Sequence, residues 1–130
     1  MAKRYAVLDS GKREEFSSGA KRDIREGKGR FDLCSPFALR RWACVNEGGA
    51  IKYGDRNHES GMPMTRYLDS ALRHINQAIE GKQDEDHLAQ ALWNLAGAIH
   101  TEESVERGLV DPKFNDMPCY LPKTKGKGRK

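Results

Sequence analysis

Met64-Thr65-Arg66-Tyr67-Leu68-Asp69-Ser70-Ala71-Leu72-Arg73-His74-Ile75-Asn76-Gln77-Ala78-Ile79 is the stretch whose reading decides the fold. Apolar side chains fall at 64, 67, 68, 71, 72, 75, 78 and 79, the three- and four-residue spacing of a helix buried along one side. Gly81 supplies a stop. The pattern resumes with Leu88, Ala91, Leu92, Leu95, Ala98 and Ile99, behind Asp84-Glu85-Asp86, acids that suit the positive end of a helix dipole. The intervening Gly81–Gln83 link is short, so the two helices are expected to pack as an antiparallel hairpin.

A further helix is expected upstream. Ser35-Pro36 reads as a cap followed by proline at the first helical position. Leu39, Trp42 and Val45 follow, and Gly54 offers a left-handed stop. Gly48 and Gly49 inside it each cost about 1 kcal/mol relative to alanine, which a close neighbour would offset. The sequence thus predicts an all-α domain with helices over 36–53, 64–80 and 85–103. Asp55–Pro63 reads as a loop. The expected organisation is an irregular N-terminal arm over 1–34, a helical domain over 35–108, and an irregular basic tail over 109–130. Three principal helices leave apolar surface on both sides of the hairpin, so a homo-oligomer, dimer or tetramer, is expected.

At 130 residues the chain has room for one core. The formal charge of +4 points to an anionic partner, yet much of the excess sits in Lys3-Arg4 and in the run Lys123, Lys125, Lys127, Arg129 and Lys130, and such tails are commonly solvated. A nucleic-acid-binding protein working through that run is a rival reading, but nucleic acid is not required by the rest of the chain. Cys34, Cys44 and Cys119 form no paired framework, no run approaches a membrane span, and no signal-peptide core opens the chain. A reduced, cytoplasmic setting without membrane attachment is expected.

Polar residues on these helices carry the chemistry. Glu47 has Ala43, Ala50 and Ile51 as its helical neighbours; a carboxylate there is paired, protonated or bound to metal. Asp69, Arg73, Asn76 and Glu80 make a polar line beside an apolar stripe. That line is either a surface salt-bridge ladder, at roughly 0.3–0.5 kcal/mol per pair, or part of a carboxylate cluster with Glu47 if the first two helices pack together. His74, between Ala71 and Ala78, is a core histidine or a reactive one. Asn94, flanked by Ala91 and Ala98, needs hydrogen-bond partners. Among Asp84, Glu85 and Asp86 at least one acts only as a cap, and His87 either ligates or caps. Gly27-Lys28-Gly29-Arg30 would let backbone approach phosphates, with Lys28 and Arg30 as counter-charges; it is not a Walker A loop, since no GK[ST] closes it. The chain has no His-Asp dipeptide, no HExxH, no zinc-type Cys/His spacing and no GxSxG.

Taken in order, Gly19-Ala20-Lys21-Arg22-Asp23, Gly27-Lys28-Gly29-Arg30-Phe31-Asp32-Leu33, Gly49-Ala50-x-Lys52-Tyr53-Gly54-x-x-Asn57, Ala71-x-Arg73-His74 and Asp86-His87-Leu88 through Trp93-Asn94 resemble the phage dATP/dGTP diphosphohydrolases, a MazG-like family. The likeness covers roughly residues 19–103. It implies an all-α, MazG-like helical bundle that cleaves purine deoxynucleoside triphosphates between the α and β phosphates with two or three Mg²⁺ or Mn²⁺ ions. It further implies conversion of dGTP, and dATP, to dGMP or dAMP and pyrophosphate, supplying dGMP to a virus whose DNA carries 2-aminoadenine. A MazG-like house-cleaning hydrolase of non-canonical nucleotides is the alternative. By this resemblance Glu47, Asp69 and His74 are the catalytic candidates. Lys28, Arg30, Lys52, Tyr53, Asn57, Arg73 and Asn94 are the substrate-binding ones. Glu47, Asp69, Glu80 and Asp84 are the metal candidates. The chain departs from the wider superfamily in lacking intact ExxE and ExxD on its first two helices, which leaves the remaining ligands open among Glu80, Asp84, Glu85 and Asp86.

Overall fold

The computed structural model describes residues 7–122. The chain divides into two units, the first ending at Cys34 and the second beginning at Ser35. Lys3-Arg4, the run 123–130, and with it the nucleic-acid reading, lie outside the described residues.

The first unit is not irregular throughout. β1 (Arg13–Glu15) pairs antiparallel with β2 (Lys21–Asp23), in the register Arg13↔Asp23, Glu14↔Arg22, Glu15↔Lys21. Every pair joins opposite charges, which favours that register. Apolar alternation, the usual strand signal, is missing because the hairpin buries no face. A 3₁₀ turn, Phe31–Leu33, closes the unit.

The second unit holds three helices: α1 (Pro36–Tyr53), α2 (Met64–Ile79) and α3 (His87–Glu106). Ser35 caps α1 by accepting from the Ala38 N–H, and Gly54, at φ 93°, ends it. Asp86 caps α3 through the Ala89 N–H. Pro63 precedes α2 and gives it no side-chain cap. Asp116 supplies that service from far along the chain, accepting from the Thr65 N–H at 3.0 Å and the Thr65 hydroxyl at 2.5 Å. Phe114, in the 3₁₀ turn Pro112–Phe114, lies over Gly61, so the segment after α3 is fastened back onto the helices.

α3 is the central element and touches α1, α2, the Asn57–Ser60 turn and the Pro112–Phe114 turn. The packing of the first two helices against one another, which would have gathered Glu47 with Asp69, is replaced by packing of each on α3. Trp93 on α3 joins α1 by donating its indole N–H to Asn46 at 2.9 Å. The α2–α3 seam is made of Met64, Tyr67, Ala71 and His74 against His87, Ala91, Asn94, Gly97, Ala98 and Thr101, all buried. Gly97 is where the ring of Tyr67 lies; a Cβ there would fall inside the ring's van der Waals envelope.

The seam takes only one side of each apolar stripe. Leu72, Ile75 and Ile79 on α2 and Leu88, Leu95 and Ile99 on α3 are exposed, Leu72 by 68% and Ile79 by 80%. No helix among the described residues is long and apolar enough to cross a membrane.

Candidate functional site

Two histidines meet at the hairpin end of the seam. His74 sits on the last turns of α2 and His87 is the first residue of α3. Both are buried, and their Nδ1 atoms are 2.9 Å apart. The His87 Nε2 lies 2.7 Å from the Asp84 carboxylate. An ionised carboxylate only accepts, so this nitrogen carries a proton, and in the neutral ring the His87 Nδ1 keeps its lone pair. The hairpin turn explains the meeting: Gly81, at φ 82°, reverses the chain, and Asp84, Glu85 and Asp86 arrive together just ahead of α3.

The electrostatics follow from burial and near neighbours. Burial holds His74 below its ordinary range, and the adjacent Arg73 charge adds to this. The His87 hydrogen bond keeps Asp84 below the usual carboxylate range. Asp86 is lowered by Arg41, whose guanidinium reaches it with two contacts of 2.5 and 2.7 Å; that pair clamps α1 to the start of α3. The three acids therefore divide their work. Asp86 caps and clamps, Asp84 orients His87, and Glu85 is left exposed beside the imidazoles. Among the described residues, His74, Glu85 and His87 are the one group of three or more His, Cys, Asp or Glu whose ligating atoms lie close enough to share an ion, all within 4.8 Å of one another.

The other site candidates are distributed more widely. Glu47 is exposed on α1 and Asp69 exposed on α2; with Glu80 and Asp84 they form no such group. Glu80 accepts from the Asn76 amide at 2.9 Å. Asp69 and Arg73 make no ion pair among the described residues, so the salt-bridge ladder is not formed. Arg73 is exposed beside His74. Lys52 lies over the Tyr53 ring at 5.1 Å, at the end of α1. Asn57 opens the Asn57–Ser60 turn. Buried Asn94 donates to the Gln90 carbonyl at 2.8 Å. In the first unit, Lys28 pairs with Asp23 at 3.0 Å and Arg30 grips Asp32 at 2.8 and 2.9 Å. Gly27 and Gly29 both take positive φ, and a shallow depression of mixed charge, lined by Glu14, Arg22, Asp23, Arg25 and Lys28, lies against this loop.

The pairing of His74 with His87 is what the linear sequence conceals. The two are thirteen positions apart, and only their placement on either side of the hairpin turn hints that they face one another. Asn57 has a neighbour of equal interest in His58, whose ring stands 5.6 Å from Trp93 and 6.0 Å from His100.

A family model described as dATP/dGTP diphosphohydrolase, N-terminal, matches residues 18–111. That span begins after β1 and contains β2, the glycine loop, all three helices and the histidine pair. No curated protein and no solved structure matches the chain.

Proposed function

This chain belongs to the dATP/dGTP diphosphohydrolase family, and on that premise we propose that it converts dGTP, and also dATP, to the monophosphate and pyrophosphate with the help of divalent ions. The observation that carries the reading is a buried imidazole pair with flanking carboxylates inside the matched span. Purely structural helices gain little from burying two imidazoles side by side, whereas phosphate chemistry needs groups that hold cations and position water.

The donor set fits a divalent cation: two imidazoles and the Glu85 carboxylate are within reach of one ion. Such an ion supplies neutralisation of phosphate charge and a lowered pKa for water. The chain's own residues do the rest. Asp84 fixes the ring and tautomer of His87, and the Asp86–Arg41 clamp fixes the first turn of α3 on which His87 rides. Arg73, beside His74, and Lys52, at the end of α1, offer counter-charges to the polyphosphate. Water attacks in line at the α-phosphorus, and pyrophosphate leaves. A site that hydrogen-bonds a purine leaves buried polar groups unpaired when a pyrimidine enters, which favours dGTP and dATP. In a virus building 2-aminoadenine DNA, the reaction would lower dGTP and supply dGMP.

We also infer that the chain works as a homo-oligomer. Leu68, Leu72, Ile75 and Ile79, and likewise Leu88, Leu92, Leu95 and Ile99, repeat at intervals of four, three and four, the spacing that helices use to pack on further helices. A second copy presents the same stripes, of which Leu72, Ile75, Ile79, Leu88, Leu95 and Ile99 are exposed and Leu68 and Leu92 half-buried.

A panel of the four dNTPs and four NTPs, each with Mg²⁺, Mn²⁺ or Co²⁺, tests the reaction by pyrophosphate release and product chromatography. dGTP and dATP should be cleaved about fivefold to a hundredfold faster than dCTP and dTTP, since one lost buried hydrogen bond is worth about 1–3 kcal/mol. Release of inorganic phosphate in place of pyrophosphate, or pyrimidines consumed at the purine rate, would reject the reading.

A further inference from the structure

We propose that His74, Glu85 and His87 form a nitrogen-rich metal site selective for Co²⁺ and Zn²⁺ over Mg²⁺, with Nδ1 of both imidazoles and one Glu85 oxygen as ligands. The proposal rests on the metal-assisted reading above only for its link to catalysis; the site itself stands on the geometry.

Three observations converge. First, the two Nδ1 atoms are 2.9 Å apart. Two metal–nitrogen bonds of about 2.1 Å at a tetrahedral angle place their nitrogens about 3.4 Å apart, so one ion accepts both once the rings part by about half an ångström. Secondly, the Nδ1 of His87 is held on the side of the ring that faces His74. Asp84 accepts a hydrogen bond from the Nε2 N–H at 2.7 Å, the outer carboxylate arrangement that orients ligating imidazoles in metalloproteins. Without an ion, His74 donates from Nδ1 to His87; with one, its proton moves to Nε2 and both lone pairs point at the metal. Thirdly, the two rings are at least nine-tenths buried while Glu85 is exposed. An ion would therefore sit at the edge of the core, its inner side closed by imidazole and its outer side open to water or phosphate oxygen.

The donors set the selectivity. Imidazole suits borderline ions such as Co²⁺ and Zn²⁺. Mg²⁺ demands oxygen ligands in near-ideal octahedral geometry and keeps its waters. Two neutral imidazoles and one carboxylate leave a dication with net positive charge, which suits an anionic ligand in the open positions.

The test uses the full chain, stripped with chelator and titrated with Co²⁺. One equivalent should bind with a ligand-field absorption distinct from the aqua ion, Zn²⁺ should displace it, and a hundredfold excess of Mg²⁺ should not. Glu85→Gln, on the surface and safe for folding, should weaken Co²⁺ binding at least tenfold, as should His74→Gln and His87→Gln where circular dichroism shows them folded. Should a histidine variant fail to fold, long-range ¹⁵N–¹H correlation on the unaltered protein decides the matter. Zn²⁺ should shift Nδ1 of His74 and His87 and leave His58 and His100 in place. An aqua-ion spectrum throughout, equal binding by Glu85→Gln, or equal shifts at all four histidines would overturn the proposal. The two readings fail separately. Tight Co²⁺ binding with no dNTP hydrolysis would remove the activity and keep the site; dNTP hydrolysis without Co²⁺ binding would do the reverse.

Discussion

The α2–α3 seam and the outer stripes of the same two helices are built from opposite kinds of residue. Inside, the contacts are Ala71, Ala91, Gly97 and Ala98 around a single large ring, Tyr67, with polar His74, His87, Asn94 and Thr101 among them. Outside stand Leu72, Ile75, Ile79, Leu88, Leu95 and Ile99. Small residues bring two backbones close and hold polar groups at fixed separations, which a site needs. They bury little apolar area. The larger aliphatics carry the hydrophobic free energy and can release it only against another surface. The seam therefore positions, and in the proposed homo-oligomer the stripes would stabilise on association.

The largest effect should come from breaking the stripes. Leu95→Glu combined with Ile99→Glu places two charges where apolar side chains would each contribute about 1.5–3 kcal/mol on burial. The expected outcome is a shift from oligomer to monomer by light scattering coupled to size exclusion, with a large fall in melting temperature. If the pair leaves molar mass and melting temperature unchanged, the stripes do not carry an interface and the contrast between the two faces loses its meaning.

A smaller effect should follow from disturbing the seam. Gly97→Ala adds a methyl group that runs into the Tyr67 ring, and the ring, buried to within 2%, has nowhere to go. Overpacking of this kind costs about 1–3 kcal/mol, against a helix-propensity gain of about 1 kcal/mol for replacing glycine, so net destabilisation is expected in urea denaturation. The control is the double variant with Tyr67→Leu. Once the ring is gone, the propensity term remains alone and Gly97→Ala should become neutral or stabilising. Additive behaviour of the two changes would show that they do not meet.

The same contrast explains which parts of the molecule could be read from its sequence. The three helices were legible because their stops and caps are local chemistry: Ser35-Pro36, Gly54, Gly81 and Asp86 act within a turn of themselves. The hairpin of β1 and β2 was not, since its register is held by charge pairs and not by apolar alternation. The stripe on α2 was legible as apolar, but not which half of it would be covered. Tyr67 and Ala71 go inward while Leu72 and Ile79 stay out, a choice made by Gly97 and Ala98 on another helix. Helix partnership was likewise hidden, so Glu47 and Asp69 could be imagined together though each helix packs on α3. His74 and Asp84 stood out as single residues. Their joining through His87 depends on the fold of the turn, which no spacing rule encodes.

The smallest effect concerns a fastening far from the seam. Pro63 leaves the first turn of α2 without a side-chain cap, and Asp116 provides it from the segment after α3. Hydrogen bonds from the Thr65 hydroxyl, then from its backbone N–H, hold the Asp116 carboxyl below the ordinary carboxylate range. A carboxyl with a depressed folded-state pKa stabilises the fold above its unfolded value, and that contribution disappears as pH falls through the folded-state value. Asp116→Ala should therefore lower the melting temperature slightly at neutral pH, and the gap from the unaltered protein should close in acid, where the native carboxyl is itself protonated. Taking the difference between the two proteins at each pH removes the titration of the remaining acids, which both share. A gap that stays constant from neutral pH into acid would mean that Asp116 contributes packing alone and that its charge plays no part in holding the outer segment to α2.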